Sequence, residues 1–342
     1  MNFQSATKQI LSIENIKKVV QIHYGIDVSI GKIMELSEGY YSTAYSIELL
    51  DFDFDIVLKA APIDNLHQLT YEFHGIETEI KILQMLQNKL KHLLIPSPKL
   101  ITFDLTCSKI DLKYFIVEKF TGKSWKSLKK TLSDKEKGSI QKSLGYIQKQ
   151  LNSIQNSHFG PIFDPNHPDE FKLKTLSWSR TFKGLMDNLF IDSERFGVKI
   201  PVNHEKMDQI LAKAHSSLEE ITTPKLIHWD LWEGNIFLRK NGDDWIIEGI
   251  IDFERGMWGD PLMELFFRNE FRNHAFLEGY GSFSFSDKST RVRDHLYDIY
   301  LSLIFIIEST ARQYQIWHKV GFKIYGWLKF AQNWRRLKKI LK

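Results

Sequence analysis

The period of apolar positions changes along the chain, and that change divides it. In residues 1–24, Ile10, Ile13, Ile16, Val19 and Val20 fall near helical spacing, which predicts one or two short helices. From residue 29 the pattern shortens. SIGKIMEL, AYSIEL and IVLKAAP are brief apolar runs separated by the polar stretches SEGYYST and DFDFD, the signature of an antiparallel meander rather than a βαβ unit. Residues 66–90 return to helical spacing, with Ile76, Ile80, Leu83, Leu86 and Leu90 on one face. The following IPSPKL stops that helix, because proline lacks the N–H and clashes with the preceding turn. Two more strands are expected at Leu100–Asp104 and Tyr114–Glu118.

Beyond residue 123 the helical period dominates. Helices are predicted over 133–154, 177–193, 203–220, 259–272, 289–318 and 322–341, with a strand-loop-strand block at 225–253. A β-rich part followed by a helical part is the α+β pattern of two lobes. The division runs from a small N-terminal lobe (1–117), through a hinge (118–122), to a larger, mostly helical C-terminal lobe (123–342). Ligand sites commonly lie in the cleft between such lobes.

Composition narrows the class. With 342 residues, 43% of them apolar, the chain is long enough for two cores. A net charge of +4 is too modest to argue for nucleic acid. Cys107 is the single cysteine, so neither an intrachain disulfide nor a Cys-rich metal site is available, and a reducing cytoplasm fits. The first residues, MNFQSATKQI, lack the basic-then-apolar order of a signal peptide. The apolar run 296–307 contains Asp298 and is flanked by Asp294 and Glu308, so it reads as a buried core helix with no stable membrane insertion. No internal repeat or low-complexity tract is seen.

The chemistry concentrates in His228-Trp-Asp230-Leu-Trp-Glu-Gly-Asn235 and in Ile251-Asp252-Phe253. Phosphoryl transfer needs one carboxylate to orient the attacking hydroxyl and accept its proton, and hard oxygen ligands to hold Mg²⁺ against the phosphate oxygens. Asp230, Asn235 and Asp252 supply that set, provided the short strands GNIFL and WIIEGIIDF, joined at Asn241-Gly242, bring them to one sheet edge. Lys59 ends an apolar strand, where a nucleotide-binding lysine sits in kinases. A G-x-G-x-x-G loop is absent. Gly39 stands alone in SEGYYSTAY, leaving Ser42, Thr43 and nearby backbone N–H groups as the phosphate-facing candidates. A plain hairpin turn fits the same residues.

These motifs resemble the aminoglycoside phosphotransferase and choline-kinase-like family, from about residue 30 to 318. HWDLWEGNIFL is similar to its catalytic loop, and IIDFERGMWGDPLMEL to its metal-binding segment and Gly-Asp-Pro turn. The resemblance implies a protein-kinase-like fold, with Asp230 as catalytic base, His228 orienting the loop, and Asn235 and Asp252 as metal ligands. Gly259, Asp260, Pro261 and Glu264 take structural parts. Glu79, followed by Leu83, Leu86 and IPSP, matches the family's partner of Lys59, which leaves Glu72 and Glu77 as solvated helix positions. FIVEKFTGKSW resembles the hinge, so backbone groups near Glu118 and Phe120 are expected to meet the nucleobase. ATP or GTP with Mg²⁺ is the implied cofactor pair, and choosing between them is beyond a main-chain contact. Leu151-Asn152 departs from the family's usual Leu-His. No Ala-Pro-Glu follows Asp252, which favours a small acceptor over a protein.

The acceptor is less defined. Residues 266–342 hold fourteen Lys or Arg against six Asp or Glu, an unsuitable balance for a polycationic aminoglycoside. A macrolide, a sugar or an amino alcohol competes with it. Trp178, Phe182, Trp258, Phe266, Phe267 and Trp317 are mostly core candidates. Asp294, Tyr297, Asp298, Leu301 and Glu308 form either a cleft-facing stripe or a solvated edge. In the last segment Trp327, Phe330, Ala331, Trp334, Leu337 and Leu341 share a face opposite basic residues. Two readings of that helix stand: a final lobe helix whose basic face meets water, or a surface for an anionic membrane or acidic partner. The alternative to an enzyme is a catalytically silent nucleotide-binding regulator of the same fold.

Overall fold

The computed structural model describes residues 9–36, 42–62, 67–90, 92–162, 174–264, 273–281 and 285–342. Helix α1 (Ile13–Tyr24) is capped by the Ser12 hydroxyl, which accepts from the Asn15 N–H. A five-stranded antiparallel sheet follows, in the order β1-β2-β3-β5-β4: β1 (Ile30–Glu35), β2 (Thr43–Leu49), β3 (Ile56–Ala60), β4 (Leu100–Asp104) and β5 (Tyr114–Glu118). Strand alternation sorts its side chains. Ile56, Leu58, Ala60, Tyr114 and Ile116 pack with Ile16, Val19 and Val20 of α1. Val57, Phe115 and Val117 face the other way, toward α2 (Gly75–Gln84). Lys59 belongs to this second face by the same alternation, and so points where α2 lies.

The helix expected over 66–90 is shorter than its period suggests. Thr70–Glu72 form a 3-10 turn, His74 takes a positive φ of 63°, and α2 begins only at Gly75. After Gln84 it loosens into a π turn at Met85–Lys89. The first part is held out of the helix by the other lobe. The Thr70 N–H and hydroxyl both donate to Asp192, at 2.8 Å each.

The C-terminal lobe contains β6 (Lys123–Ser124), α3 (Trp125–Leu128), α4 (Asp134–Leu151), β7 (Gly160–Pro161), α5 (Trp178–Arg195), α6 (His204–Glu219), β8 (Lys225–Ile227), β9 (Ile236–Asn241), β10 (Asp244–Ile250), β11 (Met257–Gly259), α7 (His274–Tyr280), α8 (Lys288–Ala311) and α9 (Ile316–Ile340). Its core gathers Trp178, Phe182, Leu189, Met207, Leu296, Tyr300 and Ile304. The long apolar helix is buried as expected, and no helix among the described residues is long and apolar enough to cross a membrane.

Two predicted helices are corrected. The one placed at 259–272 is a 3-10 turn at Pro261–Met263, and 265–272, with Phe266 and Phe267, lie outside the described residues. The one placed at 289–318 ends at Ala311, where Gln313 turns to φ 52° and the Arg312 side chain is drawn inward to carboxylates. On α9 the buried positions are Gly326, Phe330, Asn333 and Leu337. Trp327, expected on that face, is exposed, and so is Trp317.

Candidate active site

Lys59 crosses from β3 toward the C-terminal lobe. Its Nζ lies 2.5 Å from Glu79 Oε2 on α2, 2.5 Å from Asp252 Oδ1 and 3.1 Å from Glu254 Oε2. Burial alone lowers an ammonium, yet Asp252, Glu254 and Glu79 outweigh it and hold Lys59 well above its usual value. Burial raises all three carboxyls. Asp252 nevertheless ends below its ordinary value because of Lys59, whereas Glu254, with Asp252 beside it, is pushed up to about 8. Three carboxylates around one cation thus share unequal protonation. Glu79 pairs with Lys59 as the family pattern implied.

The loop at 228–235 is closed by a ring of hydrogen bonds. Strand β8 delivers His228, which is fully buried. The Asp230 N–H donates to His228 Nδ1 at 3.2 Å, so the proton of the neutral ring sits on Nε2 and is directed to the Ile251 carbonyl at 3.0 Å. Burial drives the imidazole pKa down to about 4, which keeps the ring neutral. The Ile251 N–H donates to the Asn235 carbonyl, and Asn235 Nδ2 donates to the Asp230 carbonyl (2.9 Å) and to Asp230 Oδ2 (3.3 Å). Residues 228, 230, 235 and 251 are therefore fixed together, although the chain between them runs out and back through the β9–β10 hairpin. That hairpin turns at Gly242–Asp243, one residue later than the Asn241-Gly242 signal, with Gly242 at φ 61°.

Both ends of the ring carry unusual backbone. Trp229 (φ 60°) and Asp252 (φ 72°) occupy the left-handed region without being glycine. Glu264 holds the first bend. Its carboxylate accepts the N–H groups of His228 (2.6 Å) and Trp229 (3.0 Å), consistent with the structural part expected for it. Asp260 likewise caps Leu262 and accepts from Tyr297 and Arg293. Asp230 keeps a carboxylate oxygen 3.9 Å from Arg255 Nη1. Burial outweighs that cation and raises Asp230 to about 7.

Several residues of this neighbourhood escaped the sequence reading. Glu254 accepts from the Ser42 hydroxyl at 3.0 Å, which joins the edge of the glycine-poor loop to the Lys59 cluster. Arg255 lies over the Tyr71 ring and within 3.9 Å of carboxylates of Asp230, Glu72 and Glu308. Arg312 pairs with Glu72 and Glu308, and Tyr314 donates to Glu308 at 2.7 Å. The expected solvation of Glu72 and Glu77 is incorrect. Glu72 is buried in this network and accepts from the Leu69 N–H. Glu77 is buried against Lys113 and His74, whose contacts overcome desolvation and bring it down to about 2. A signal existed for Arg255, adjacent to the Asp252 motif, but none for Glu72 or Arg312, which are 240 positions apart.

Around the expected hinge, the Glu118 N–H donates to the Lys99 carbonyl and the Lys119 N–H to the Asp55 carbonyl. Thr121 and Gly122 donate to Glu248. The Phe120 N–H alone of this run has no partner among the described residues. The Phe120 ring rests on Gly249, where an added Cβ would lie 1.8 Å from it. Thr43 starts β2 with its hydroxyl buried and without a partner among the described residues. The turn around Gly39 lies outside them.

A five-stranded lobe joined to a helical lobe, with a lysine–glutamate pair and an Asp-Asn-Asp loop system between them, is a protein-kinase-like fold. The chain belongs to the phosphotransferase enzyme family (APH), whose profile matches residues 32–268. Solved structures agree in fold. A candidate fructosamine-3-kinase from Haemophilus somnus superimposes with a TM-score of 0.63 at 17% identity, covering 96% of this chain and 97% of that one. A candidate aminoglycoside phosphotransferase from Ralstonia eutropha gives 0.62 at 10% identity, covering 96% and 98%. A ternary complex of a thermostable aminoglycoside phosphotransferase APH(4)-Ia mutant gives 0.57 at 16% identity, covering 96% and 98%. No curated protein matches the chain significantly in sequence.

Proposed function

We propose that this phosphotransferase moves the γ-phosphate of ATP or GTP to a hydroxyl group of a small molecule bound between the 1–117 and 123–342 lobes. The observation that carries the reading is the hydrogen-bonded ring of residues 228, 230, 235 and 251 directly beside the Lys59–Asp252 contact. Asp230 is the proton acceptor. Near neutrality its carboxyl sits at its own titration point, where a base is both available and strong enough to help. Neutral His228 positions the loop. Lys59, fixed by Glu79, faces the α- and β-phosphates, and Ser42 with the backbone at Thr43 borders them. The Phe120 N–H is left to donate to the nucleobase, while Glu118 contributes its carbonyl side.

The donor set fits Mg²⁺. Asn235 spends its Nδ2 on Asp230, which leaves Oδ1 as an oxygen ligand, and Asp252 adds a carboxylate. When bound, the ion neutralises charge on the phosphate oxygens. The neighbouring folds support a nucleotide and a small acceptor: APH(4)-Ia was solved with ADP and hygromycin B, and APH(2")-IIa with ATP and streptomycin. For this chain, the positive balance of residues 266–342 favours a neutral or weakly cationic hydroxyl compound over a polycationic aminoglycoside.

The test is a screen of ATP and GTP consumption against aminoglycosides, macrolides, sugars and amino alcohols, with the product checked for one added phosphate by mass. Asp230→Asn should lower kcat by about 10²–10⁴-fold while nucleotide still binds. Full turnover by that variant on the true acceptor removes Asp230 as the base. Nucleotide binding without transfer to any hydroxyl makes the chain a silent regulator.

A further inference from the structure

The outer surface of α9 takes no part in this chemistry. Gly326, Phe330, Asn333 and Leu337 turn inward, and α8 is the helix they pack against. At about 100° per residue, the opposite direction carries two halves of different character. Trp317, Val320, Ile324 and Leu328 occupy the first, and Arg335, Lys338 and Lys339 the second. The four apolar side chains are 85%, 43%, 56% and 67% exposed. Scattered apolar side chains are normal on a protein surface, but four aligned over three turns form a patch of the kind that marks an interaction site.

The charge is equally one-sided. Residues 316–342 contain eight Lys or Arg and no Asp or Glu. None of the eight forms an ion pair among the described residues. Partial burial and neighbouring Lys319 push the Lys323 ammonium below its usual value. Beside the cationic half, Lys288, Arg291 and His295 of α8 and Arg336, Lys339 and Ile340 of α9 line an open cavity of about 490 Å³. Four cations and no carboxylate meet there.

We propose that α9 docks this protein peripherally on an anionic phospholipid surface. Trp317, Val320, Ile324 and Leu328 enter the interfacial layer, the cationic half lies along the headgroups, and a lipid phosphate enters the four-cation cavity. A bilayer of this kind offers negative charge directly above an apolar layer, which matches both halves of the helix at once. A second copy of the chain matches only the apolar half, because it brings eight more cations and no carboxylate to the contact. The absence of a spanning helix among the described residues agrees with surface attachment.

The experiment sediments the full chain with vesicles of phosphatidylcholine alone or mixed with phosphatidylglycerol. Binding is expected to the mixed vesicles only. It should weaken with salt, as the screening length falls from about 10 Å at 0.1 M to about 3 Å at 1 M. Lys338→Ala with Lys339→Ala should reduce partitioning roughly 30-fold, at about fivefold per cation near the surface. Ile324→Asp with Leu328→Asp should abolish it with an unchanged melting temperature, since both positions are exposed. Absent binding, equal binding to both vesicles, or binding that survives these variants overturns the proposal. A dimer in analytical ultracentrifugation that Ile324→Asp dissolves, without vesicle binding, assigns the face to a second copy instead.

Discussion

Replacing Lys59 by methionine removes one cation from among three carboxylates whose oxygens come within 4.8 Å of one another. Removing one partner of a buried ion pair costs about 3–5 kcal/mol, because the charge left behind is uncompensated. Here the protein has an escape, since a carboxylate can take up a proton. The residue that changes is Asp252. Burial raises it, but in the native protein Lys59 overrides burial and holds it below 3.8, so it is ionised throughout the working range. A depressed carboxyl contributes stability that is present above its unfolded value and lost as pH falls through its folded one. Without Lys59, burial is left to raise the Asp252 carboxyl, and the folded variant holds up to one proton more than the wild type wherever that carboxyl is protonated. Each unit of pH then changes the difference in stability by about 1.36 kcal/mol. The cost of about 3–5 kcal/mol at pH 8 should therefore shrink as the pH falls to 5, by at most about 4 kcal/mol over the three units. Urea unfolding of both proteins at pH 5, 6.5 and 8, followed by two optical probes, measures it. A deficit that is the same at every pH refutes the argument, because it means that no extra proton is bound and that Lys59 does not hold Asp252 ionised.

Other consequences follow from the same geometry. With Asp230 as the proposed base, which must be ionised to accept a proton, and its carboxyl raised to about 7, kcat/KM should climb with pH and level off above that value, a limb visible in a pH–rate profile. Arg312→Met removes the nearer cation from Glu72 and Glu308 and leaves them the longer contacts to Arg255, and a loss of up to about 3–5 kcal/mol should lower the melting temperature by up to roughly 4–7 °C in a thermal scan. Gly249→Ala forces the Phe120 ring aside and with it the neighbouring amide. Overpacking of this size should raise the nucleotide KM about tenfold with kcat nearly unchanged in steady-state kinetics.

Much of this molecule could be read from residue order because the relevant signals are local. The edges of β4 and β5 follow from short apolar runs bounded by turn formers, and both strands lie where the pattern put them. The pairing of Lys59 with Glu79 followed from a motif around each residue. What escaped depends on contacts far apart in sequence. Glu72 lies on a stretch with good helical period, yet Asp192 and Arg312 from the other lobe claim its turn and keep it out of α2. The helix break at Gln313 has the same origin, because Arg312 gains two buried carboxylates by turning inward. Glu254 reads as an ordinary acidic neighbour until β3 brings Lys59 to within 3.1 Å of it.

The short stretch between β3 and α2 also bears on how the molecule moves. Through Gln68, Thr70 and Glu72 it is bonded to α5 and to the residue that ends α8, a connection separate from the chain at 118–122. The Lys59–Asp252 and Ser42–Glu254 contacts tie the same two halves again. A swing about residues 118–122 alone would break all of these bonds, so opening has to release them or carry the stretch along with α5 and α8.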